Sequence, residues 1–322
     1  MDDYHGQGSI NNHREQVHDP LMAKLSIVIP SRNPQYLERT IKDLIAKASG
    51  NVEVIPVFDG YDPGPILADV PSGFGHERVK PILLDNPEGM RQAINAGANA
   101  ATGEYLMKSD EHCLFAQGYD EVLKADCDDN WICVPRRYAL NPDKWGIDPG
   151  HGPTDAHYLS WPWLKPLPHW VGTKWPERTA ARKDVPIDDE MSSQGSCWFM
   201  RKKYFFKHIG QLDWKNYGGF SQEFQELAFK TWLGGGRVVC NKKTWYAHWH
   251  KPHEFGRGYH LSKGEQEKGW RFSFDYWWND RWPERLHDLE WLIDKFWPVP
   301  GWPENWKERY GLRGSDEIDK AG

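Results

Sequence analysis

The sequence has few cysteines, and their spacing suggests neither a metal site nor a disulfide network. Its 322 residues include five cysteines, and no two of them form a CxxC pair. An odd number without paired spacing argues against a zinc knuckle or a disulfide framework. We therefore expect a protein that works in a reducing compartment.

Long hydrophobic runs are also missing. Residues 1–20 are polar and rich in His, Asn and Asp, so they lack the apolar core of a signal peptide. No later stretch approaches the roughly 18 apolar residues of a membrane span. The pattern predicts a cytoplasmic protein, in a bacterium or a phage-infected host cell, with a flexible leader at residues 1–23 and no membrane contact.

The chain also lacks an excess of positive charge. Its formal net charge is −6 and its pI is about 6.2, which excludes a protein that coats nucleic acid but leaves room for a local basic patch. The chain is rich in tryptophan, with 19 residues. So many indole rings predict aromatic binding surfaces. For the tryptophans after Gly269, a packed C-terminal layer is an equally good interpretation.

The first half of the chain alternates short apolar runs with helical patterns. Strands are predicted at residues 25–30, 52–58, 79–84 and 105–108, and helices at residues 36–48 and 89–101. This alternation predicts an α/β fold with a mixed, mainly parallel sheet flanked by helices. In such sheets the ligand lies beyond the carboxyl ends of the strands. Three strands end in polar loops, namely Ser31-Arg32-Asn33, Asp59 and Asp110-Glu111-His112.

The second half is less regular. Residues 136–189 are rich in Pro, Trp, His and Gly, which predicts a long ordered loop system over the sheet. A strand and helix follow at residues 195–209, an amphipathic helix at residues 222–233, and a last strand at residues 237–240. We expect a catalytic domain at residues 24–260, with residues 136–189 inserted on the acceptor side, and a Trp-rich helical extension at residues 261–322.

Two pairs of residues have the spacing of metal ligands. Asp110 and His112 lie two apart at a strand end, so both side chains project to one face and can share a divalent cation such as Mn²⁺. His248 and His250 also lie two apart, after the last predicted strand. Either of them can complete the site from across the sheet.

An ordered set of motifs resembles a known enzyme family. The segments LSIVIPSRN, VFDG, ATGEYLMKSDEHC and GGFSQEFQELAFKTWLGGGRVV resemble family 2-type glycosyltransferases of the GT-A (Rossmann-like) fold. More narrowly, SDEHC, QGSCWFMRKKYF and AHWHK resemble the polypeptide N-acetylgalactosaminyltransferases and related retaining enzymes. The similarity covers roughly residues 24–259. It implies transfer of a sugar from a UDP-sugar to a hydroxyl group, with Mn²⁺ or Mg²⁺ as cofactor and with retention.

The resemblance also implies roles for individual residues. The implied metal ligands are Asp110, His112 and His248, the last matching better than His250. The residues implied to contact the donor are Ser31, Arg32, Asn33, Asp59, Arg91, Asp110, Gly195 and Arg257, and those implied in catalysis are Glu223, Glu226 and Arg91. Gly-Gly-Glu-Asn in the family is replaced by a longer stretch here, which leaves open whether Glu223 or Glu226 faces the sugar.

The acceptor is predicted from the inserted segment. Basic and aromatic residues alternate there, a mixture that suits phosphate contacts and base stacking, and equally a sugar. They are Arg136, Arg137, Trp161, Trp163, Lys165, Trp170, Lys174, Trp175, Arg178, Arg182 and Lys183. The favoured acceptor is a hydroxymethylated pyrimidine in DNA, as in phage DNA modification, contacted through residues 136–183. The alternatives are a protein or saccharide acceptor and, in another class, a non-catalytic module that binds nucleotide-sugar or nucleic acid. No protein partner is inferred.

Overall fold

The computed structural model describes residues 23–32, 34–64, 77–164, 167–251 and 262–312. The predicted leader, apart from Ala23, lies outside these ranges, as do Asn33, Lys165 and Arg257. All five cysteines lie within them, buried and without a disulfide bond. Across the described ranges, every helix is too short or too polar to cross a membrane.

Twelve strands occur in the described ranges. They are β1 Leu25–Ser31, β2 Val52–Asp59, β3 Ile82–Leu84, β4 Tyr105–Ser109, β5 Cys113–Phe115, β6 Trp131–Asn141, β7 Gly146–Ile147, β8 His157–Leu159, β9 Gly172–Lys174, β10 Ile187–Asp189, β11 Cys197–Arg201 and β12 Arg237–His248.

The same ranges contain ten α-helices. They are α1 Leu37–Lys47, α2 Met90–Ala100, α3 Tyr119–Asp126, α4 Pro176–Ala181, α5 Lys202–Tyr204, α6 Trp214–Tyr217, α7 Glu223–Leu233, α8 Lys263–Trp278, α9 Leu289–Phe296 and α10 Trp306–Gly311. A π-helical turn, Phe205–Ile209, follows α5.

One large mixed sheet organises the molecule. Its strand order is β10-β12-β6-β11-β4-β1-β2-β3, with β5 paired to β12 and β7 paired to β6. Strands β4, β1, β2 and β3 are parallel, whereas β11 runs antiparallel to both β4 and β6. Strands β8 and β9 form a separate two-stranded sheet. The predicted α/β fold with a mixed sheet and flanking helices is therefore confirmed.

The parallel block follows directly from its sequence. Strand β2 is buried along its whole length and β1 along nearly all of it, as expected of apolar, β-branched strands covered on both faces. Helix α2 packs on both strands, and its small residues allow a close approach. The carboxyl ends of β1, β2 and β4 therefore meet at one edge, where the polar loops were predicted.

Two segments differ from the prediction. Residues 136–189 are not only a loop system, because β6 extends to Asn141 and β10 pairs with β12. The last strand does not end at Cys240 but continues to His248 through a bulge between Asn241 and Trp245. Two lysines at the bulge interrupt the apolar pattern, which is why the periodicity broke off there.

The C-terminal helices pack against the inserted segment. Trp278 is fully buried and contacts the rings of Trp161, Trp163 and Trp170. The indole N–H of Trp302 donates to the Leu159 carbonyl at 2.7 Å. The predicted Trp-rich extension is thus a packed layer, and its rings share one hydrophobic cluster with the sheet.

Candidate active site

Three strands bring one carboxylate and two imidazoles together. Asp110 and His112 follow β4, and His248 is the last residue of β12. Strand β5 pairs antiparallel with β12 so that Cys113 lies opposite His248, and the Trp249 N–H donates to the His112 carbonyl at 3.2 Å. The pairing places His248 beside His112, although 136 residues separate them.

The three side chains lie close enough together to hold one metal ion. The Nε2 atom of His248 lies 3.1 Å from Oδ2 of Asp110 and 3.1 Å from Nε2 of His112, and His112 Nε2 lies 3.9 Å from the same carboxylate oxygen. One ligand atom from each residue falls within 4.8 Å of the others. Two imidazole nitrogens and a carboxylate oxygen form a donor set that fits Mn²⁺ and, less well, Mg²⁺.

The protonation states in the triad suit metal binding. Burial lowers the pKa of both imidazoles, that of His112 well below its usual range. Burial alone would raise the pKa of the Asp110 carboxyl, but the Lys108 ammonium and the contact with His248 hold it well below its usual range. At neutral pH the set therefore offers two neutral imidazoles and one carboxylate, the forms that bind metal.

A second carboxylate lies beside the triad. Glu223, the first residue of α7, accepts a hydrogen bond from the indole N–H of Trp198 at 2.5 Å, and its Oε2 lies 3.7 Å from Lys108 Nζ. Gly195 has φ +86°, and a methyl group at this position would lie 3.3 Å from the same Oε2. Glu223 therefore faces the backbone at Gly195, on the side of the buried lysine and Asp110.

Glu226, one turn further along α7, is in a different environment. It is 0% exposed and forms an ion pair with Arg91, which is itself 0% exposed. The Arg91 guanidinium also donates to the Ser221 carbonyl and stacks 4.2 Å from the centre of the Tyr217 ring. This pair joins α2 to α7. The charged groups of Arg91 and Glu226 thus pair with each other, whereas the Glu223 carboxylate faces Gly195.

Side-chain hydrogen bonds and an ion pair hold the chain at the ends of β1 and β2. The Ser31 hydroxyl bonds with Glu111 at 2.6 Å and with the Tyr61 hydroxyl at 2.7 Å. Asp59, 3% exposed, accepts hydrogen bonds from the Glu88 and Gly89 amides, and its carboxylate lies 3.0 Å from Arg32 Nε. Much of the hydrogen-bonding capacity of the Asp59 carboxylate thus orders the start of α2 and orients Arg32.

Comparison with known proteins places the chain in a family. The model of the family described as glycosyl transferase family 2 matches residues 26–209, more than half of the chain. The chain belongs to this family. The sequence-based prediction of a family 2-type glycosyltransferase is thereby confirmed.

Individual relatives are more distant. Polypeptide N-acetylgalactosaminyltransferase 5 of Caenorhabditis elegans is 28% identical over 241 residues, covering 67% of this chain and 35% of that protein. Putative polypeptide N-acetylgalactosaminyltransferase 13 of Drosophila melanogaster is 29% identical over 241 residues, covering 68% and 40%. The chain thus spans little more than a third of the length of these relatives.

The fold has a solved counterpart. The crystal structure of GalNAc-T7 with UDP, GalNAc and Mn²⁺ superposes with a TM-score of 0.65 and 18% sequence identity, covering 94% of this chain and 57% of that one. At this identity the likeness concerns the fold. It confirms the predicted GT-A architecture.

The inserted segment of this family 2 chain differs from the expected acceptor platform. Trp170 and Trp175 are 1% and 8% exposed, so their faces are not available for stacking on a base. Arg136 is paired with Asp155, and Arg178 and Arg182 both contact Asp188. The expected stacking platform is therefore not formed by Trp170 and Trp175, because Trp170 packs on the C-terminal helices and Trp175 on Tyr158.

Sequence reasoning missed two residues at this edge. Lys108 lies inside a buried strand and pairs with Asp110, and a lysine within an apolar run is the sequence signal for such a buried ion pair. Glu111 lies between Asp110 and His112 and bonds with Ser31 and Lys251, and burial raises the pKa of its carboxyl to about 7. Glu111 thus bonds with the end of β1 and with Lys251, whereas Asp110 and His112 face His248.

A buried network in the inserted segment was also missed. His157 bonds with Glu190 at 2.7 Å and with Arg137 at 3.0 Å, and Arg137 donates to Gln194, which precedes Gly195. These residues lie in β6, in β8 and in the loop between β10 and β11, 20 to 57 positions apart, so no local pattern predicts their contact. Through Gln194, the network contacts the chain next to Gly195.

Proposed function

We propose that this chain is a metal-dependent glycosyltransferase that moves a sugar from a UDP-sugar to an acceptor hydroxyl. The observation that carries the proposal is the convergence of Asp110, His112 and His248, with Glu223 and Gly195 beside them at the same edge of the sheet. Family membership and the GT-A fold agree with it.

The triad would hold the cation through Oδ2 of Asp110 and the Nε2 atoms of His112 and His248. A bound Mn²⁺ or Mg²⁺ supplies electrostatic stabilisation of the diphosphate leaving group. Positive charge develops at the anomeric carbon as its bond to the diphosphate breaks, and the Glu223 carboxylate would stabilise it or hold sugar hydroxyls. Gly195 lets the sugar approach the backbone, because it has no side chain. Retention is proposed from the resemblance to retaining enzymes.

The donor nucleotide is proposed to lie over the ends of β1 and β2. Ser31 and Arg32 border this edge, and Asp59 acts there mainly by orienting Arg32 and the start of α2. Asn33 and Arg257 lie outside the described residues, so their donor contacts stay predictions. For Arg91 and Glu226 we propose a positioning role through their buried pair.

We propose a polypeptide as the acceptor. The relatives named above are called polypeptide N-acetylgalactosaminyltransferases, and the solved structure of GalNAc-T7 contains UDP, GalNAc and Mn²⁺. Hydroxymethylated DNA was predicted as the acceptor because aromatic side chains could stack on a base. Trp170 and Trp175 are buried, so they do not support this acceptor. A non-catalytic module is disfavoured, because its function would not need a complete ligand triad beside a second carboxylate.

The test combines donor hydrolysis with acceptor mass spectrometry. The chain is incubated with Mn²⁺ and a panel of UDP-sugars, first alone and then with a library of peptides rich in Ser and Thr or with hydroxymethylated DNA. We expect metal-dependent release of UDP and a mass increase on peptides equal to the sugar residue of the donor used. Asp110→Ala and His112→Ala should each abolish both, with a melting temperature close to that of the unchanged chain.

Two outcomes contradict the proposal. Full activity in the presence of a chelator removes the metal from the reaction. A mass increase on DNA and none on peptides overturns the polypeptide acceptor but leaves donor chemistry intact.

A further inference from the structure

Lys108 lies where a lysine is costly. It belongs to β4, where it follows Leu106 and Met107, and it is 1% exposed. An ammonium group removed from water is tolerated only when oxygen atoms surround and neutralise it. The oxygen atoms around Lys108 therefore indicate which role its ammonium group has.

Those partners come from three separate parts of the site. The ammonium donates to Oδ1 of Asp110 at 2.5 Å and to the Gly195 carbonyl at 2.7 Å, and it lies 3.7 Å from Oε2 of Glu223. The three oxygens belong to the loop after β4, the loop before β11 and the first turn of α7. One side chain thus connects the metal triad, the sugar-side glycine and the second carboxylate.

We propose that Lys108 is a positioning residue that couples the metal site to Glu223. It occupies Oδ1 of Asp110, which leaves Oδ2 directed at His248 and His112. On the other side it attracts Oε2 of Glu223, while the Trp198 indole fixes Oε1. Both carboxylates are therefore oriented by the same ammonium. The inference rests on the proposed function, since it assumes a metal at the triad and a sugar beside Glu223.

A purely structural role would look different. Lys124 provides the comparison, because its side chain is also fully buried and bonds with the Ala23 carbonyl and with Glu121. Neither of those partners belongs to the candidate site. If burying an ammonium served only stability, loss of Lys108 and loss of Lys124 would have the same kind of effect.

The experiment is a double-mutant cycle with a metal-binding readout. The variants are Lys108→Met, Glu223→Gln and the double variant, with Lys124→Met as the matched control. Mn²⁺ binding is measured by the electron paramagnetic resonance signal of free Mn²⁺ in the presence of UDP, and kcat and KM are measured for hydrolysis of the UDP-sugar. Lys108→Gln, which keeps hydrogen-bond donors without the charge, replaces Lys108→Met if that variant does not fold.

The expected pattern separates positioning from binding. Lys108→Met should lower kcat by at least about tenfold and change KM by less than about threefold. Mn²⁺ should bind at least as tightly as before, because a positive charge near the cation is gone. In the Glu223→Gln background the same change should lower kcat clearly less than it does in the unchanged chain, since one of the two carboxylates that Lys108 orients is already lost. Lys124→Met should leave kcat and Mn²⁺ affinity unchanged.

Three results overturn the inference. They are a kcat within about twofold of the unchanged chain, a loss that saturating Mn²⁺ restores, and losses that simply multiply in the double variant. Failure of the proposed function gives a different result, because the unchanged chain would then neither bind Mn²⁺ nor hydrolyse any UDP-sugar, and the inference falls with it.

Discussion

At the residue scale, the two histidines near the end of β12 have similar local sequence and different surroundings. His248 is buried and its Nε2 faces Asp110 and His112, whereas His250 is exposed and its ring centre lies 4.7 Å from that of His248. Extended backbone would direct both side chains to one face, but β12 ends at His248. The end of the strand therefore separates the proposed ligand His248 from an exposed neighbour.

This difference yields a prediction. His248→Ala should weaken Mn²⁺ binding and donor hydrolysis by at least about 100-fold, because it removes a ligand, while His250→Ala should cost less than about tenfold. Both quantities are measured with UDP present and at saturating donor. Equal losses in the two variants would contradict the assignment of His248.

A second prediction at this scale concerns Asp43 on α1. Its carboxylate accepts the Phe115 amide at 2.7 Å, and burial raises its pKa to about 6. Because the folded pKa exceeds the unfolded value, the folded chain binds this proton more tightly, and stability rises as pH falls through about 6 towards 4. Asp43→Asn should therefore stabilise the chain at pH 7.5 by about 1–2 kcal/mol and change little at pH 4.5.

Thermal melts at the two pH values measure this effect. The same shift in melting temperature at both would show that the proton on Asp43 is not its cause.

At the scale of elements, the contact of α2 with the sheet depends on one glycine. A methyl group at Gly97 would lie 2.4 Å from Cγ1 of Val28 and 3.1 Å from Cγ2 of Val57. Since Val28 and Val57 are in the centre of the parallel block, neither can move away cheaply. Gly97 thus sets the distance between α2 and the sheet, and with it the position of the Arg91 pair.

The prediction is that Gly97→Ala destabilises the fold by about 1–3 kcal/mol, because crowding outweighs the gain in helix propensity. Gly264→Ala in α8 is the matched control, since the nearest atom to its new methyl group lies at 3.9 Å. That change should be neutral or slightly stabilising. Urea unfolding measures both, and a stable Gly97→Ala chain would show that α2 can shift outward.

At the scale of the whole molecule, the C-terminal helices and the inserted segment hold each other in place. Trp278 packs on rings from residues 161–170 and on Tyr310, and Trp170 donates its N–H to the Ser273 carbonyl at 3.3 Å. The buried rings of both parts belong to one hydrophobic cluster that they share with the sheet. The inserted segment is therefore packed against residues that follow it by more than 100 positions.

Trp278→Ala should accordingly cost about 3–5 kcal/mol, the range for a large aromatic residue removed from a packed core. Trp214→Ala, at a ring that is 41% exposed, should cost less than about 1 kcal/mol. Chemical unfolding followed by near-ultraviolet circular dichroism distinguishes them. Similar losses in both variants would mean that the Trp cluster does not carry the stability of the insertion.

The amino-acid sequence by itself determined the alternation of strands and helices around β1, β2 and β4, and the polar loops at their carboxyl ends. These are local properties, because periodicity and turn residues act over a few positions. The pair Asp110 and His112 could be recognised in the same way. The sequence also predicted His248, but only through the resemblance of AHWHK to a family.

Only the tertiary structure decided which side chains are used internally and which face the site. Glu223 and Glu226 lie one turn apart on α7, yet the first faces Gly195 and the second binds Arg91. Trp170 and Trp175 lie in a segment whose composition predicts a binding surface, yet both side chains are buried. Such differences arise from contacts between segments far apart in the chain, and hydrophobic burial and ion pairing depend on those contacts rather than on sequence neighbours.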